Sequence, residues 1–178
     1  MTVELWAEDE HRVGLKPLVR RVWAKRGSRP LVPVHHRVQW LYGYGFVHPE
    51  TGRTFLPIRA KVNDDQFNQA LADFAQFAGS SPTKHCVVML DQAGWHRSKK
   101  VLLPTGLHLM PLPPYSPELQ PAERLWPLTN EGVANQCFAD LEALMSAQRH
   151  RCESLQQAPQ TIRNLTLFHW WPRPGNDH

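Results

Sequence analysis

The spacing of hydrophobic residues changes period along the chain, and each change predicts an element. Val3, Leu5 and Ala7 alternate with Glu4, Trp6 and Glu8, a two-residue period that predicts a strand running out at Glu8-Asp9-Glu10. Leu18 to Trp23 reads as a short strand or hairpin arm before Lys25-Arg26-Gly27. His36 to Val47 is rich in aromatic and β-branched residues, and His48-Pro49-Glu50-Thr51-Gly52 is turn chemistry. Arg53 to Ile58 then returns as a hairpin partner. From Asn63 the period becomes helical, with Phe67, Leu71, Phe74 and Ala78 on one face. Gln66 sits three residues after Asn63, as in a capping box, and Gly79 ends the helix. His85 to Leu90 is apolar on both faces, as a central strand covered by helices is. A brief helix is predicted over Ser98 to Leu103 and a further strand over Leu107 to Leu112.

The prolines after Leu112 force an extended path, because each fixes φ and biases its predecessor away from the helical region. Pro121 suits the first turn of a helix carrying Glu123, which Pro127 should kink or restart. Asp140 caps a stronger helix whose inner face is Leu141, Leu144, Met145, Gln148 and Cys152. Residues 159–167 add a last helical segment, and Trp170 and Trp171 pin the C-terminus to the core. The order strand, strand, strand, helix, strand, helix, strand, helix contains two β-α-β units, whose crossovers are right-handed. The expectation is an α/β fold in a single domain spanning residues 1–178, a mixed sheet with helices on both faces.

Composition narrows the class. At 178 residues, with 42% hydrophobic and 20% charged side chains, the chain reads as one ordinary globular domain. It has no apolar run of membrane-spanning length and no secretory signal at its start, and its three scattered cysteines suggest reduced thiols in a cytosol. The net charge of +4 mildly favours a polyanionic partner. The distribution says more: Arg20, Arg21, Lys25, Arg26 and Arg29 crowd around Trp23, and Arg97, Lys99 and Lys100 follow the 85–90 strand.

Three acids stand out. Asp9 and Asp91 each end an apolar strand, and open sheets gather ligands at such carboxyl ends. Glu123 shares a helical stripe with Leu119 and Trp126, so its side chain should face the sheet. Asp9 and Asp91 become neighbours if the first and fourth strands pair. Two carboxylates about 4 Å apart repel by roughly 4 kcal/mol at an effective dielectric near 20, so such a cluster holds protons or binds cations. Oxygen-only ligands suit Mg2+ or Mn2+, and two such ions clamp the attacking and leaving oxygens of an in-line phosphodiester displacement on DNA. Each acid also has a plainer reading: Glu8 or Glu10 as the inward residue of the first strand, Asp91 as a cap, Glu123 as an acid at a helix N-terminus.

The basic segment around Trp23 suits DNA phosphates, with the ring stacking on a splayed base, or it is a solvated hairpin with a packed tryptophan. His96 is either a group that orients a phosphate or attacking water, or a surface histidine. The proline run suits a rigid loop that aims Glu123 better than a polyproline ligand. His35-His36 and His85-Cys86 lack zinc-ligand spacing.

Asp91-Gln92-Ala93-Gly94-Trp95-His96 and the block from Leu112-Pro113-Pro114-Tyr115-Ser116-Pro117 to Glu123, with Trp126 after it, resemble bacterial insertion-sequence transposases of family 630, within the mariner-like DDE superfamily. Asp9-Glu10 followed by Trp23-Ala24-Lys25-Arg26-Gly27 is similar to their first-aspartate region, while Gln92 and Gln120 stand where relatives often carry asparagine. The resemblance implies a ribonuclease H-like fold with a five-stranded mixed sheet. It implies a catalytic triad carried onto Asp9, Asp91 and Glu123, and magnesium-dependent cutting and joining of insertion-sequence ends. Relatives also carry a helix-turn-helix region, whereas this chain starts directly in a strand. The expectation is that end recognition resides in a separate polypeptide or segment, and that the chain acts in the bacterial cytoplasm, at the nucleoid, as a homodimer or larger complex on DNA. Two other readings stand beside it: an inactive remnant that binds DNA or a transposase, and a ribonuclease H-like nuclease that only hydrolyses.

Overall fold

The first strand, β1 (Thr2–Gly14), is 13 residues long and far outruns its predicted end at Glu8-Asp9-Glu10. Two partners use different parts of it. Thr2 to Ala7 pair in parallel with β5 (Lys84–Leu90), while Ala7 to Gly14 pair antiparallel with β2 (Trp40–His48). The sequence signal failed beyond Ala7 because the next residues are acids and a histidine, whose strand state is dictated by the β2 ladder rather than by apolar alternation.

The computed structural model describes residues 1–34 and 37–172, and within them the sheet is completed by β3 (Arg53–Phe55), β4 (Ile58–Arg59) and β6 (Leu107–Pro111). The order is β3-β2-β1-β5-β6, with β4 also on β2. The six strands match the expected five-stranded mixed sheet with one arm split. Phe46↔Phe55 and Gly43↔Ile58 share a single register, and Pro57, which has no N–H to donate, interrupts the arm between them. Leu18 to Trp23 is not a strand. Pro17, Pro30 and Pro33 punctuate an irregular run over residues 15–34, in which Ser28 N–H closes a turn on the Lys25 carbonyl (2.9 Å). His35 and His36 lie outside the described residues.

Helices cover both faces, as the pattern predicted. Helix α1 (Asp64–Ala78) is capped by Asn63, whose side chain accepts from Gln66 N–H, and ends at left-handed Gly79. It buries Phe67, Leu71 and Phe74 against Trp6, Phe46 and Val88. The other face meets α2 (Leu125–Glu131), α3 (Leu141–Gln156) and α4 (Pro159–Thr166), where Leu125, Trp126, Cys152 and Ile162 pack on Leu5, Ala7 and Met89. Trp171 is buried in that same cluster with Trp170 against it. The expected helix at Ser98 to Leu103 is absent. Side chains hold that crossover instead: Ser98 Oγ donates to Asp64, and Asn68 on α1 bonds the backbone at Lys100 and Leu102.

Candidate active site

The pleat of β1 sorts its acids. Leu5 and Ala7 belong to the core under α2 to α4, so Asp9 continues that face, while Trp6 belongs to the α1 core and Glu8 and Glu10 follow it. On β5, Met89 lies under α2 to α4, and Asp91 is the next residue of that alternation. The β1–β5 ladder ends at Ala7↔Met89, and the two aspartates stand two residues past it, Asp9 on β1 and Asp91 just beyond the end of β5, as expected from the pairing of these two strands.

Glu123 reaches them from a 3-10 turn, Pro121–Arg124, rather than from an α-helix. The α-helix begins only at Leu125, with Pro127 in its first turn, where a missing N–H costs nothing. Gln120, buried, bolts this turn to the sheet: its Nε2 donates to the Glu8 carbonyl (2.7 Å) and its Oε1 accepts from Ala122 N–H (3.3 Å). Asp9, Asp91 and Glu123 thereby line one cleft of about 530 Å3, rimmed by Arg97 and Tyr115.

Each aspartate has one oxygen engaged. Trp126 Nε1 donates to Asp9 Oδ2 (2.7 Å). The indole fits there because Asp9 pairs with Gly45, where an added Cβ would lie 2.5 Å from Trp126 Cη2. Asp91 Oδ1 accepts from Ala93 N–H (2.9 Å) and from His96 Nδ1 (2.8 Å). Burial pushes the Asp9 carboxyl up to about 7; the Trp126 bond opposes this, and the Glu10 and Glu123 carboxylates add to it. A mostly buried acid under repulsion from a second acid, in an open polar cleft with oxygen donors only, fits Mg2+ or Mn2+.

The sequence reading offered Glu8 or Glu10 as the inward residue of the first strand only as an alternative to Asp9, and the structure turns both inward, on the face opposite Asp9. Glu8 is fully buried with neither carboxylate oxygen hydrogen-bonded, and burial, then Glu10, Asp9 and Asp91, holds its carboxyl well above the usual range. Glu10 Oε1 accepts from Trp95 Nε1 (2.8 Å) and lies 3.1 Å from His96 Nε2. Burial opposes charge on His96, but the Glu10 contact and charge outweigh it and the imidazole pKa is raised. A signal existed: the two-residue period that places Trp6 inward carries Glu8 and Glu10 with it. The side chain of His96 has no exposed surface, so it is neither a surface histidine nor a group that meets a DNA phosphate.

The remaining DNA-facing candidates lie apart from the cleft's floor. Arg20, Arg21, Trp23, Lys25 and Arg26 are all exposed on the irregular 15–34 segment, and the Trp23 ring packs on nothing among the described residues. Arg97, Lys99 and Lys100 are exposed on the β5–β6 crossover, where Arg97 contacts Gln92 Oε1 at 3.4 Å. The described residues contain no helix long and apolar enough to cross a membrane.

Comparison with known proteins places these features in a group. A family model described as "DDE superfamily endonuclease" matches residues 4–145. A protein of Sinorhizobium fredii named "Uncharacterized protein y4pE/y4sA" is 30% identical over 132 residues, 74% of this chain and 96% of the relative. The Mos1 mariner paired-end complex with Mn superposes with a TM-score of 0.60 at 13% identity, over 94% of this chain and 57% of that one. The Mos1 paired-end complex with Mg does so with a TM-score of 0.60 at 14% identity, over 92% and 53%. The present chain thus spans little more than half the length of the Mos1 chains, and at these identities the likeness is one of fold, with the same ribonuclease H-like sheet.

Proposed function

Because the chain belongs to the DDE superfamily endonucleases, we propose that it is the catalytic domain of a transposase that cuts and joins insertion-sequence ends, with Asp9, Asp91 and Glu123 as the metal-binding triad. The observation that carries this reading is their convergence on one cleft from three separate parts of the chain. Two divalent ions, Mg2+ or Mn2+, would supply an activated oxygen nucleophile and charge neutralisation at the scissile phosphate.

The chain's own residues set the stage for that chemistry. Trp126 and His96 each hold one aspartate oxygen inside the protein, which leaves Asp9 Oδ1 and Asp91 Oδ2 without a protein hydrogen bond among the described residues. Gln120 fixes Glu123 against β1, so the third acid is aimed by the backbone rather than by a flexible loop. Arg97 at the rim and the exposed basic segment around Trp23 bring and hold the phosphate backbone, the ring stacking on an unpaired base. The Mos1 structures hold paired transposon ends, which supports work on two DNA ends by a homodimer or larger complex. End recognition by a separate helix-turn-helix polypeptide or domain, and action in the cytoplasm at the nucleoid, complete the proposal.

The test is a supercoiled plasmid incubated with the protein and Mg2+ or Mn2+, together with a labelled duplex ending in a 3′-hydroxyl. Nicking plus joined product supports a transposase. Nicking with no joined product supports a nuclease that only hydrolyses, and neither activity supports a remnant that binds without cutting.

A further inference from the structure

One imidazole links β1 to the residue that follows β5. The ladder between these strands ends at Ala7↔Met89, and beyond it no backbone pairing sets the distance from Asp9 to Asp91. Asp91 is in coil with a side chain 57% exposed, and the one backbone donor on its carboxylate, Ala93 N–H (2.9 Å), ties it to its own loop and not to β1. His96 supplies the missing tie. Its Nδ1 holds Asp91 Oδ1 at 2.8 Å, and its Nε2 lies 3.1 Å from Glu10 Oε1, one residue along β1 from Asp9. Neither end of this link is free to drift. The His96 ring packs against Phe67 (centroids 4.6 Å apart) and Trp95 (5.7 Å), and Trp95 Nε1 pins the same Glu10 oxygen.

We propose that His96, braced by Glu10, is a positioning residue: it holds Asp91 at a set distance and rotation relative to Asp9, so that Oδ2 is the oxygen left for the divalent cation. This rests on the triad proposed above. Residues that hydrogen-bond a metal ligand typically alter metal affinity or activity by about 10–100-fold when removed. A bond made beyond the end of the ladder acts on the separation of two ligands as well as on the angle of one. The two ring nitrogens do different jobs, and amide side chains separate them. The Asn amide nitrogen reaches the position of Nδ1 and can hold Asp91, whereas the Gln amide reaches that of Nε2 and can contact only Glu10.

The experiment is Mn2+ titration of the full chain by electron paramagnetic resonance, with plasmid nicking followed against Mn2+ concentration and melting measured in EDTA. His96→Ala is expected to weaken Mn2+ binding and raise the Mn2+ needed for half-maximal nicking by about 10–100-fold. His96→Asn should recover most of that loss and His96→Gln little of it. If His96→Ala does not fold, Glu10→Gln decides: the same shift, smaller, supports the tie, and wild-type Mn2+ affinity overturns it. Folded His96→Ala with wild-type affinity, or equal rescue by Asn and Gln, overturns the proposal. So does Mn2+ binding that survives Asp91→Ala but is lost in His96→Ala, which would put the ion on Glu8, Glu10 and His96. A wild-type chain that binds no Mn2+ overturns the triad itself, an outcome distinct from failure of His96 alone.

Discussion

Asp9 and Glu10 are consecutive residues of one strand, yet the pleat places them in opposite environments. Asp9 looks into a polar cleft beside Asp91 and Glu123, with one oxygen on an indole N–H. Glu10 and the fully buried Glu8 look into the α1 layer, against His96, Trp95 and the Phe67 side. On the proposed reading, the same chemical group is a cation ligand where it opens onto a cleft shared with two other acids, and a bracing element where a histidine and aromatic rings surround it. Fold and solvent access, not residue type, separate the roles.

The sharpest way to break this contrast is to neutralise acids one face at a time. Asp9→Asn, Asp91→Asn and Glu123→Gln should each reduce divalent-dependent nicking to background in the plasmid assay. Glu8→Gln, on the other face, should leave nicking readily measurable. Equal loss from Glu8→Gln and Asp9→Asn would erase the distinction between the faces.

A smaller effect is expected from Trp126→Phe, which keeps an aromatic ring in the core and deletes only the donor to Asp9. Nicking should fall by about 10–100-fold, with the greater part of the loss recovered at high Mn2+. A variant indistinguishable from wild type would show that Asp9 needs no such hold.

Metal removal gives a third test. Asp9 has a carboxyl raised from 3.8 to about 7 in the fold, so the folded state binds its proton more tightly than the unfolded chain does. In EDTA this group costs nothing below pH 4. Its cost grows as pH rises through the interval from 4 to 7 and then levels off. The melting temperature of Asp9→Asn in EDTA should therefore gain on wild type as pH rises across that window, and added Mn2+ should reverse the order. Parallel pH curves for the two proteins would contradict the buried, repelled state of Asp9.

The smallest effect on chemistry belongs to the exposed arm. Changing Arg20, Arg21, Lys25 and Arg26 together to Gln should lower the slope of log affinity against log salt by about 3.6, read by fluorescence anisotropy on duplex DNA. Trp23→Ala should cost about 1–3 kcal/mol on single-stranded DNA with little change on duplex. An unchanged slope in the fourfold variant would remove this segment from the DNA path.

Legibility differed by the range of the forces involved. The α1 boundaries were readable because a cap, a left-handed glycine and an apolar stripe are local signals, and Asn63, Gly79 and Phe67 carry them. Asp91 and Glu123 stood out as candidates because an apolar strand ends at one and Pro121 opens a predicted helix before the other, although that element is a 3-10 turn. The arm from Leu18 to Trp23 was misread since its alternation finds no partner strand, and the 98–103 crossover was misread since Asn68 and Asp64 on α1 hold it as a loop.

Local patterning along this chain determined a two-sided mixed sheet and three candidate acids, because hydrophobic period, proline and caps act within a few residues. Tertiary structure alone decided the rest: that β1 runs on through Asp9 along β2, that Trp126 and Gln120 reach back more than a hundred residues to its acidic segment, and that His96 is buried between Asp91 and Glu10. Those contacts depend on which side chains meet across the sheet. That is settled by register and pleat, which no stretch of sequence contains by itself.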